Sequence, residues 1–346
     1  MLPPPVPLEV QDWALAQFTP SLDNQQAKLV PLVGDASSRR YFRLDAPGES
    51  YIVAHAPPAT EKNEAFVAIR ELMADAGIKV PEIFAVDLPR GFLLLEDLGD
   101  RLLLPELTTA SVGSHYDRAR DILLRMATVP QDGTLLPLYD HGLLSEELER
   151  FPQWFAHELL GYKLTPSDRE CLDNLWDRLI GSALEQPRVL VHRDFHSRNL
   201  MLQGSGELAV IDFQDAVLGP VTYDLVSLLK DCYIPWPYEK VHDWALLHRD
   251  ALQAAGYIAP TDDERFLRWF DWMGLQRHIK VLGTFARLYL RDGKATYLQD
   301  LPLVIRYVRE VAAKHAPREP AFAAFSDWFD TALAPLIASQ AWSAPR

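Results

Sequence analysis

Three side chains near the middle of the chain have the types and the spacing that phosphoryl transfer requires. Asp194 and Asn199 lie in the run 192–200, and Asp212 follows after a short intervening stretch. A carboxylate in this arrangement can accept the proton of an attacking hydroxyl. An amide oxygen and a second carboxylate can bind Mg²⁺, a cation that prefers oxygen ligands. The spacing therefore predicts Asp194 as the catalytic base, Asn199 and Asp212 as magnesium ligands, and ATP as the phosphoryl donor.

The segments around these residues favour this chemical interpretation. Asp and Asn are also common turn formers after a strand, so the three residues alone leave a purely structural role open. However, residues 188–191 predict a strand before the loop, and a hairpin turning at 204–206 is predicted between Asn199 and Asp212. A strand, a loop and a hairpin in this order are the elements that must position the three side chains.

Three motifs resemble those of the aminoglycoside phosphotransferase and choline kinase group of small-molecule kinases. They are V-H-R-D-F-H-S-R-N-L at 191–200, I-D-F-Q-D at 211–215 and G-P-V-T-Y-D-L at 219–225. Two features separate the chain from protein kinases: Phe-Gln replaces Phe-Gly after Asp212, and no Ala-Pro-Glu segment closes an activation loop. The resemblance extends from about residue 25 to about residue 310. It implies that Asp224 braces the catalytic loop.

The rest of the sequence divides into a strand-rich part and a helical part. Up to residue 97, short apolar runs predict strands, and helical periodicity predicts an N-terminal helix at 10–18 and a second helix at 63–75. Beyond Gly99, helical periodicity dominates. We expect an α+β, protein-kinase-like two-lobed fold, with a small β-rich N-terminal lobe and a large, mainly helical C-terminal lobe. Residues 1–97 would form the nucleotide-binding lobe, and residues 98–346 would form the lobe with the catalytic loop and the sugar site.

The N-terminal lobe is expected to hold ATP. A small-residue turn at 34–38 could present backbone N–H groups and the hydroxyls of Ser37 and Ser38 to the phosphates. A plain hairpin turn would have a similar composition, and the kinase context favours the phosphate-binding role. Glu96 and Leu98, at the end of a buried strand, would offer backbone groups to the adenine edge.

One expected group is missing from this lobe. Kinases place a lysine on the third strand, paired with a glutamate on the next helix, but residues 52–55 read Ile-Val-Ala-His. The helix glutamate can be matched to Glu64. For the lysine, two possibilities stay open: His55 fills the position, or one of three arginines reaches the phosphates, namely Arg39, Arg40 or Arg43.

Three further stretches, at 32–43, 53–58 and 274–283, resemble the bacterial N-acetylmuramate/N-acetylglucosamine anomeric kinases of cell-wall recycling. The resemblance implies ATP-dependent phosphorylation of the C1 hydroxyl of an amino sugar, on the way to UDP-N-acetylmuramate. N-acetylmuramate carries a carboxylate, and Arg277 and Lys280, three positions apart on one predicted helix, can face the same way to bind it. The candidate substrate-binding residues are Arg193, Gln214, Asp215, Arg277 and Lys280.

Two other functions stay open. A polycationic aminoglycoside would require an acidic wall rather than the cationic stretch at 276–280, but an aminoglycoside or other small-molecule kinase remains the alternative enzyme. A pseudokinase that binds nucleotide without turnover is the alternative from another class. The missing lysine favours it, whereas the intact set of Asp194, Asn199 and Asp212 opposes it.

The composition limits the cellular compartment and the classes of partner that the protein could have. The net charge of −14 argues against nucleic acid, since phosphate backbones require clustered Lys and Arg. No apolar run is long enough to span a bilayer, and the N-terminus shows no secretion signal. Cys171 and Cys232 match no metal-binding spacing. We expect a cytoplasmic protein with a small-molecule substrate, no membrane association and no obligate protein partner.

Overall fold

A computed structural model describes the chain at residues 5–17, 28–32, 39–46, 48–131, 133 and 136–343. The turn predicted at 34–38 lies outside the described residues. The phosphate-binding roles of Ser37 and Ser38 therefore stay predictions.

The described residues form two compact units. The first contains the described residues up to Pro105 together with Arg198–Asp215, and the second contains Glu106–Ser197 and the described residues from Ala216 onward. The lobe boundary expected between residues 97 and 98 stays a prediction. The segment 198–215, which carries both predicted magnesium ligands, groups with the strand-rich unit, so the chain crosses between the units inside the catalytic motif.

Five antiparallel strands form the sheet of the first unit, in the order β1-β2-β3-β5-β4. Alternating residues of β2, β3 and β5 turn one face of the sheet toward helix α1, where the rings of Trp13 and Phe92 lie 5.6 Å apart. The elements are α1 (Leu8–Ala16), β1 (Lys28–Pro31), β2 (Arg40–Ala46), β3 (Glu49–His55), α2 (Asn63–Asp75), β4 (Ile83–Asp87) and β5 (Phe92–Glu96).

The predicted hairpin between Asn199 and Asp212 is confirmed. Strands β7 (Leu200–Leu202) and β8 (Leu208–Val210) pair antiparallel, and the strand β6 predicted before the loop spans Arg188–Val191. Within the first unit, the backbone N–H of Val210 donates to the carbonyl of Lys79 at 2.9 Å. This bond attaches the hairpin to the segment that follows α2.

Helices dominate the second unit, as predicted. Its strands β6 and β9 (Val217–Pro220) pair antiparallel. The longest helix, α8, has 28 residues and begins at Asp263, where the side chain of Asp262 accepts the backbone N–H of Arg265 as an N-cap. The helices are α3 (Val112–Met126), α4 (His141–Arg150), α5 (Pro166–Leu184), α6 (Tyr223–Leu229), α7 (Tyr238–Ala254), α8 (Asp263–Leu290), α9 (Leu301–His315), α10 (Pro320–Trp328) and α11 (Ala334–Ala338).

Helix α8 passes very close to the end of α4. A Cβ atom on Gly283 would lie 2.3 Å from the backbone carbon of Arg150, so glycine is required at this crossing. The π-helical segment Phe151–Leu159 continues directly from α4 and also packs on α8. Within the described part of the chain, no helix is long and apolar enough to cross a membrane.

Candidate active site

The catalytic loop follows β6 and is fixed by a carboxylate on α6. The side chain of Asp224, in the first turn of α6, accepts the backbone N–H of His192 at 2.5 Å and that of Arg193 at 3.0 Å. Burial raises the pKa of Asp224 to about 6, although His192 and these two bonds act in the opposite direction. The bracing role that the resemblance implied for Asp224 is thus seen directly in two hydrogen bonds.

Asp194 lies half-buried among positive groups of the second unit. Burial alone would raise the pKa of this carboxyl, but Lys280, His196 and Arg277 together hold it well below its usual range. Asp194 is therefore ionised at neutral pH. An ionised carboxylate can accept a hydrogen bond from a hydroxyl and can act as a general base.

The three predicted substrate cations of the second unit all lower the pKa of Asp194, and all three contact protein groups. Arg277 and Lys280 are buried, and Arg193 is half-buried. Arg193 donates to the carboxylate of Glu147. The ammonium of Lys280 donates to the hydroxyl of Tyr223 at 3.0 Å. Arg277 lies with one guanidinium nitrogen 3.4 Å from the sulfur of Cys232. Roles for these residues in binding the sugar carboxylate stay predictions.

The predicted magnesium ligands lie side by side in the first unit. The hairpin places the amide nitrogen of Asn199 3.5 Å from the Asp212 carboxylate, and the backbone N–H of Ile211 donates to the Asn199 carbonyl. Asp212 adopts a φ of 65°, a left-handed conformation that is uncommon outside glycine. Gln214 donates to the other Asp212 oxygen at 2.9 Å, so one carboxylate oxygen is oriented by a side chain of the same turn.

This donor set fits Mg²⁺. Asn199 and Asp212 supply amide and carboxylate oxygens, the ligand chemistry that the cation prefers. Among the described residues, no group of three or more His, Cys, Asp or Glu side chains could hold a metal on its own. Mg²⁺ in phosphoryl-transfer sites is held by one or two carboxylates together with water and the substrate phosphates, which is compatible with this sparse set.

Arg39 is a buried cation near the predicted magnesium ligands. It is 4% exposed, and its guanidinium donates to the amide oxygen of Gln214 at 3.3 Å. It also lies 3.5 Å from the carboxylate of Glu61 and 5.0 Å from the centre of the Phe66 ring. The rings of Phe66 and Phe213 stack at 4.8 Å, which links α2 to the residue after Asp212. In the first unit, Arg39 and Glu61 thus form an arginine–glutamate ion pair, whereas the sequence lacks the strand lysine of the expected lysine–glutamate pair.

The match of the helix glutamate to Glu64 is not supported by the structure. Glu64 lies in the first turn of α2 with its side chain exposed to solvent. The glutamate that faces Arg39 is Glu61, which precedes the helix. The difference arises because the residues before α2, and not its first turn, approach the start of β2.

His55 lies on the wrong face of the sheet for a phosphate-binding role. Side chains alternate along a strand, and His55 shares its face with Val53, in the core toward α1. Its ring packs edge-on against Phe92 at 5.3 Å, and burial, with Arg40, lowers its pKa, so the imidazole is neutral. Tyr41 lies on the opposite face; burial raises its pKa, Arg39 acts to lower it, and Asp212 acts to raise it.

The other two candidate arginines are occupied elsewhere. Arg40 pairs across the strands with His55 and lies over the Phe42 ring, on the face toward α1. Arg43 donates to Asp97 at 2.6 Å and to Asp100 at 2.8 Å. Arg39 is therefore the candidate arginine that the structure brings to Asp212 through Gln214.

The predicted adenine-binding residues lie at the end of β5. The backbone N–H of Glu96 donates to the carbonyl of Glu82, and its carboxylate binds Lys79 at 2.6 Å. The carbonyl of Leu98 accepts the side-chain amide of Gln203 at 3.2 Å. The Leu98 side chain belongs to an apolar cluster with Leu102, Met201, Ala209 and Ile211. The roles of Glu96 and Leu98 in binding adenine stay predictions.

Asp215, the last predicted substrate residue, pairs with Lys62 at 2.7 Å, and both side chains are largely exposed. Three residues of these clusters were not predicted from the sequence: Glu61, Lys79 and Glu147. A charged residue in an apolar position is a recognisable signal, and Glu147 shows it, since α4 buries Leu144, Glu147 and Leu148 along one side. Glu61 and Lys79 lie beside α2 with no such signal.

The fold and these clusters define a phosphotransferase. Residues 28–270 match the model of the phosphotransferase enzyme family, and the chain belongs to this family. It is 45% identical to an N-acetylmuramate/N-acetylglucosamine kinase of Pseudomonas putida, over 81% of this chain and 82% of the relative.

Solved structures of low identity share the fold. The ADP-bound aminoglycoside phosphotransferase APH(2'')-Ib is 14% identical, with a TM-score of 0.58 over 88% of this chain and 99% of that one. The choline kinase LicA of Streptococcus pneumoniae is 18% identical, with a TM-score of 0.59 over 83% and 94% of the two chains. The predicted fold class and the predicted family are confirmed.

Proposed function

We propose that this chain is an ATP- and Mg²⁺-dependent kinase that phosphorylates the anomeric C1 hydroxyl of N-acetylmuramate or N-acetylglucosamine. The observation that carries the proposal is the 45% identity, over most of both chains, to a relative named N-acetylmuramate/N-acetylglucosamine kinase. The 1-phosphate would enter peptidoglycan recycling toward UDP-N-acetylmuramate. A small amino sugar is the substrate, and no nucleic acid or protein acceptor is involved.

The chemical step uses Asp194 as proton acceptor. The ionised carboxylate accepts a hydrogen bond from the C1 hydroxyl and orients its oxygen toward the γ-phosphorus. As the new O–P bond forms and the bond to the ADP oxygen breaks, the hydroxyl proton passes to Asp194. The low proton affinity of Asp194 suits this acceptor, because a hemiacetal hydroxyl is more acidic than the other hydroxyls of the sugar.

Residues of the first unit are assigned to the nucleotide. Asn199 and Asp212 would hold Mg²⁺, which neutralises charge on the β- and γ-phosphates when it is bound. Gln214 orients Asp212, and Arg39 supplies the positive charge that the missing strand lysine would otherwise give. Arginine is well suited to this role, since its planar donors match phosphate oxygens.

The charge around Asp194 supports an anionic or neutral sugar. Lys280, Arg277 and Arg193 all influence this carboxylate, and a polycationic aminoglycoside would be repelled by such surroundings. The positive groups would also attract the carboxylate of N-acetylmuramate, so we expect N-acetylmuramate to bind more tightly than N-acetylglucosamine.

An acceptor panel tests the proposal. ADP release from Mg-ATP is measured with N-acetylmuramate, N-acetylglucosamine, kanamycin and choline, with an acceptor-free reaction as control. We expect turnover with the two amino sugars alone. Turnover with kanamycin or choline only would assign a different acceptor, and Mg-ATP binding without turnover on any acceptor would indicate a pseudokinase.

A further inference from the structure

A fully buried glutamate lies next to the catalytic loop. Glu147, on α4, is 0% exposed, and its two oxygens receive donors from several elements of the second unit. Oε1 accepts Arg193 and lies 3.3 Å from the ammonium of Lys280. Oε2 accepts the hydroxyl of Tyr139, and the amide nitrogen of Gln276 lies 3.4 Å away. Donors from α8, from the catalytic loop and from the segment before α4 thus converge on one carboxylate.

Glu147 carries a negative charge in this position. Burial would raise its pKa, but Lys280, Arg193 and the Tyr139 hydroxyl together lower it to about 2. A buried ion cluster of this kind contributes little to stability compared with a well-packed apolar cluster of the same volume. Stability alone therefore does not explain why this ion cluster lies beside the catalytic loop.

Arg193 connects Glu147 to the catalytic carboxylate. It immediately precedes Asp194 and has a φ of 76°, a conformation that costs energy for a residue other than glycine. Two contacts keep it there: Asp224 accepts its backbone N–H, and Glu147 accepts its side chain. Lys280 is the second connection, because it faces both Glu147 and Asp194.

We propose that Glu147 is a positioning residue for phosphoryl transfer, which fixes Arg193 and Lys280 and offsets part of the positive charge facing Asp194. The inference rests on the proposed function in taking Asp194 as the proton acceptor. Without the Glu147 charge, Arg193, Arg277 and Lys280 would face Asp194 alone and weaken it as a base. Arg193 would also lose its ion pair with Glu147, and the backbone before Asp194 would relax. The chemical step would slow, while nucleotide binding in the first unit would not change.

The chain offers a matched control for a purely structural role. Asp271, on α8, is also a fully buried carboxylate with two lysines, since Lys314 lies at 2.5 Å and Lys230 at 3.6 Å. Its other neighbours are His242 and His315, so its described ion pairs include no residue of the catalytic loop. Asp271→Asn should therefore lower the midpoint of thermal unfolding without lowering kcat.

The test compares kcat and KM of Glu147→Gln, Glu147→Asp and Asp271→Asn with wild type, well below each unfolding midpoint. Misplacement of a catalytic group by about 1 Å can cost on the order of 100-fold in rate. We expect Glu147→Gln to lower kcat by about 10- to 100-fold with KM for ATP within about twofold of wild type. Glu147→Asp, which keeps the charge, should recover part of the rate.

Several outcomes would overturn the inference. They are a wild-type kcat in Glu147→Gln, an equal loss of kcat in Asp271→Asn, and an equal loss in Glu147→Asp and Glu147→Gln. If Glu147→Gln does not fold, kcat of Tyr139→Phe is measured instead, because this variant removes one donor to Glu147 and keeps the ring. An unchanged kcat in Tyr139→Phe would also refute the positioning role of Glu147.

The two proposals fail in different ways. A wild-type enzyme that is inactive on both amino sugars would refute the proposed function, and the Glu147 comparison would then use the acceptor that the panel identifies. An active wild-type enzyme with an equally active Glu147→Gln variant would refute only the positioning role.

Discussion

Replacing Arg39 tests how the nucleotide phosphates are held without a strand lysine. Arg39 is almost fully buried, donates to Gln214 at 3.3 Å and lies 3.5 Å from Glu61. Arg39→Met keeps most of the side-chain volume and removes the charge. Arg39→Lys keeps the charge and removes the planar set of donors.

The expected size of the effect follows from the bonds that are lost. A hydrogen bond to a charged group contributes about 1.5–3 kcal/mol, which corresponds to about a 10- to 150-fold change in affinity. Arg39→Met should therefore weaken Mg-ATP binding by about that factor, with a smaller loss in Arg39→Lys. Because Arg39→Met removes the buried ion pair with Glu61, the variant should also lose about 1–3 kcal/mol of unfolding free energy.

The assay is calorimetric titration with a non-hydrolysable ATP analogue and Mg²⁺, below the unfolding midpoint of each variant. His55→Ala is the matched control, since His55 lies on the face of the sheet toward α1 and should leave the dissociation constant unchanged. An unchanged dissociation constant in Arg39→Met would refute the role of Arg39. A large loss of affinity for the ATP analogue in His55→Ala would instead assign phosphate binding to His55.

Three further predictions concern the catalytic loop, the metal site and acid stability. Asp194→Asn should lower kcat by about 10²- to 10⁴-fold and leave the dissociation constant for Mg-ATP within about twofold; wild-type turnover would remove Asp194 as the base. Asp212→Ala should lose the part of ATP affinity that depends on Mg²⁺, measured by titration with and without the metal; retained metal dependence would contradict its role. Burial and Arg120 lower the pKa of His248 from 6.5 to about 3, so only the unfolded state is protonated between these values. The unfolding free energy should fall by up to about 5 kcal/mol as the pH drops from 6.5 to 3. Urea unfolding of wild type and His248→Leu at several pH values checks this. The same pH dependence of the unfolding free energy in both proteins would contradict it.

The elements were more predictable from the sequence than the contacts between them. Helical periodicity predicted the helical character of the chain beyond Gly99, and turn residues predicted the hairpin before Asp212, because each pattern is local to its own element. The type and spacing of Asp194, Asn199 and Asp212 likewise predicted a chemistry from one short segment. The structure places Asn199 next to Asp212 as that chemistry requires.

Contacts between elements could not be read in the same way. Alternation along β3 placed His55 and Val53 on one face, but the sequence did not show that α1 would cover that face. Glu61 and Glu64 are the same residue type and lie close in sequence, and the sequence did not show that Arg39 would face Glu61. Glu147 was missed because most of its partners are distant in sequence. Arg193 lies 46 positions away and Gln276 lies 129 positions away, whereas Tyr139 lies 8 positions away.

Phosphorus NMR of the reaction product tests the central claim most directly. The enzyme is incubated with N-acetylmuramate and Mg-ATP, and the coupling of the new phosphorus signal to the sugar protons is recorded. We predict a phosphate coupled to the anomeric proton, which identifies the 1-phosphate. A phosphate coupled to the C6 protons, or no sugar phosphate in a reaction where another acceptor is phosphorylated, would contradict the assignment as an anomeric amino-sugar kinase.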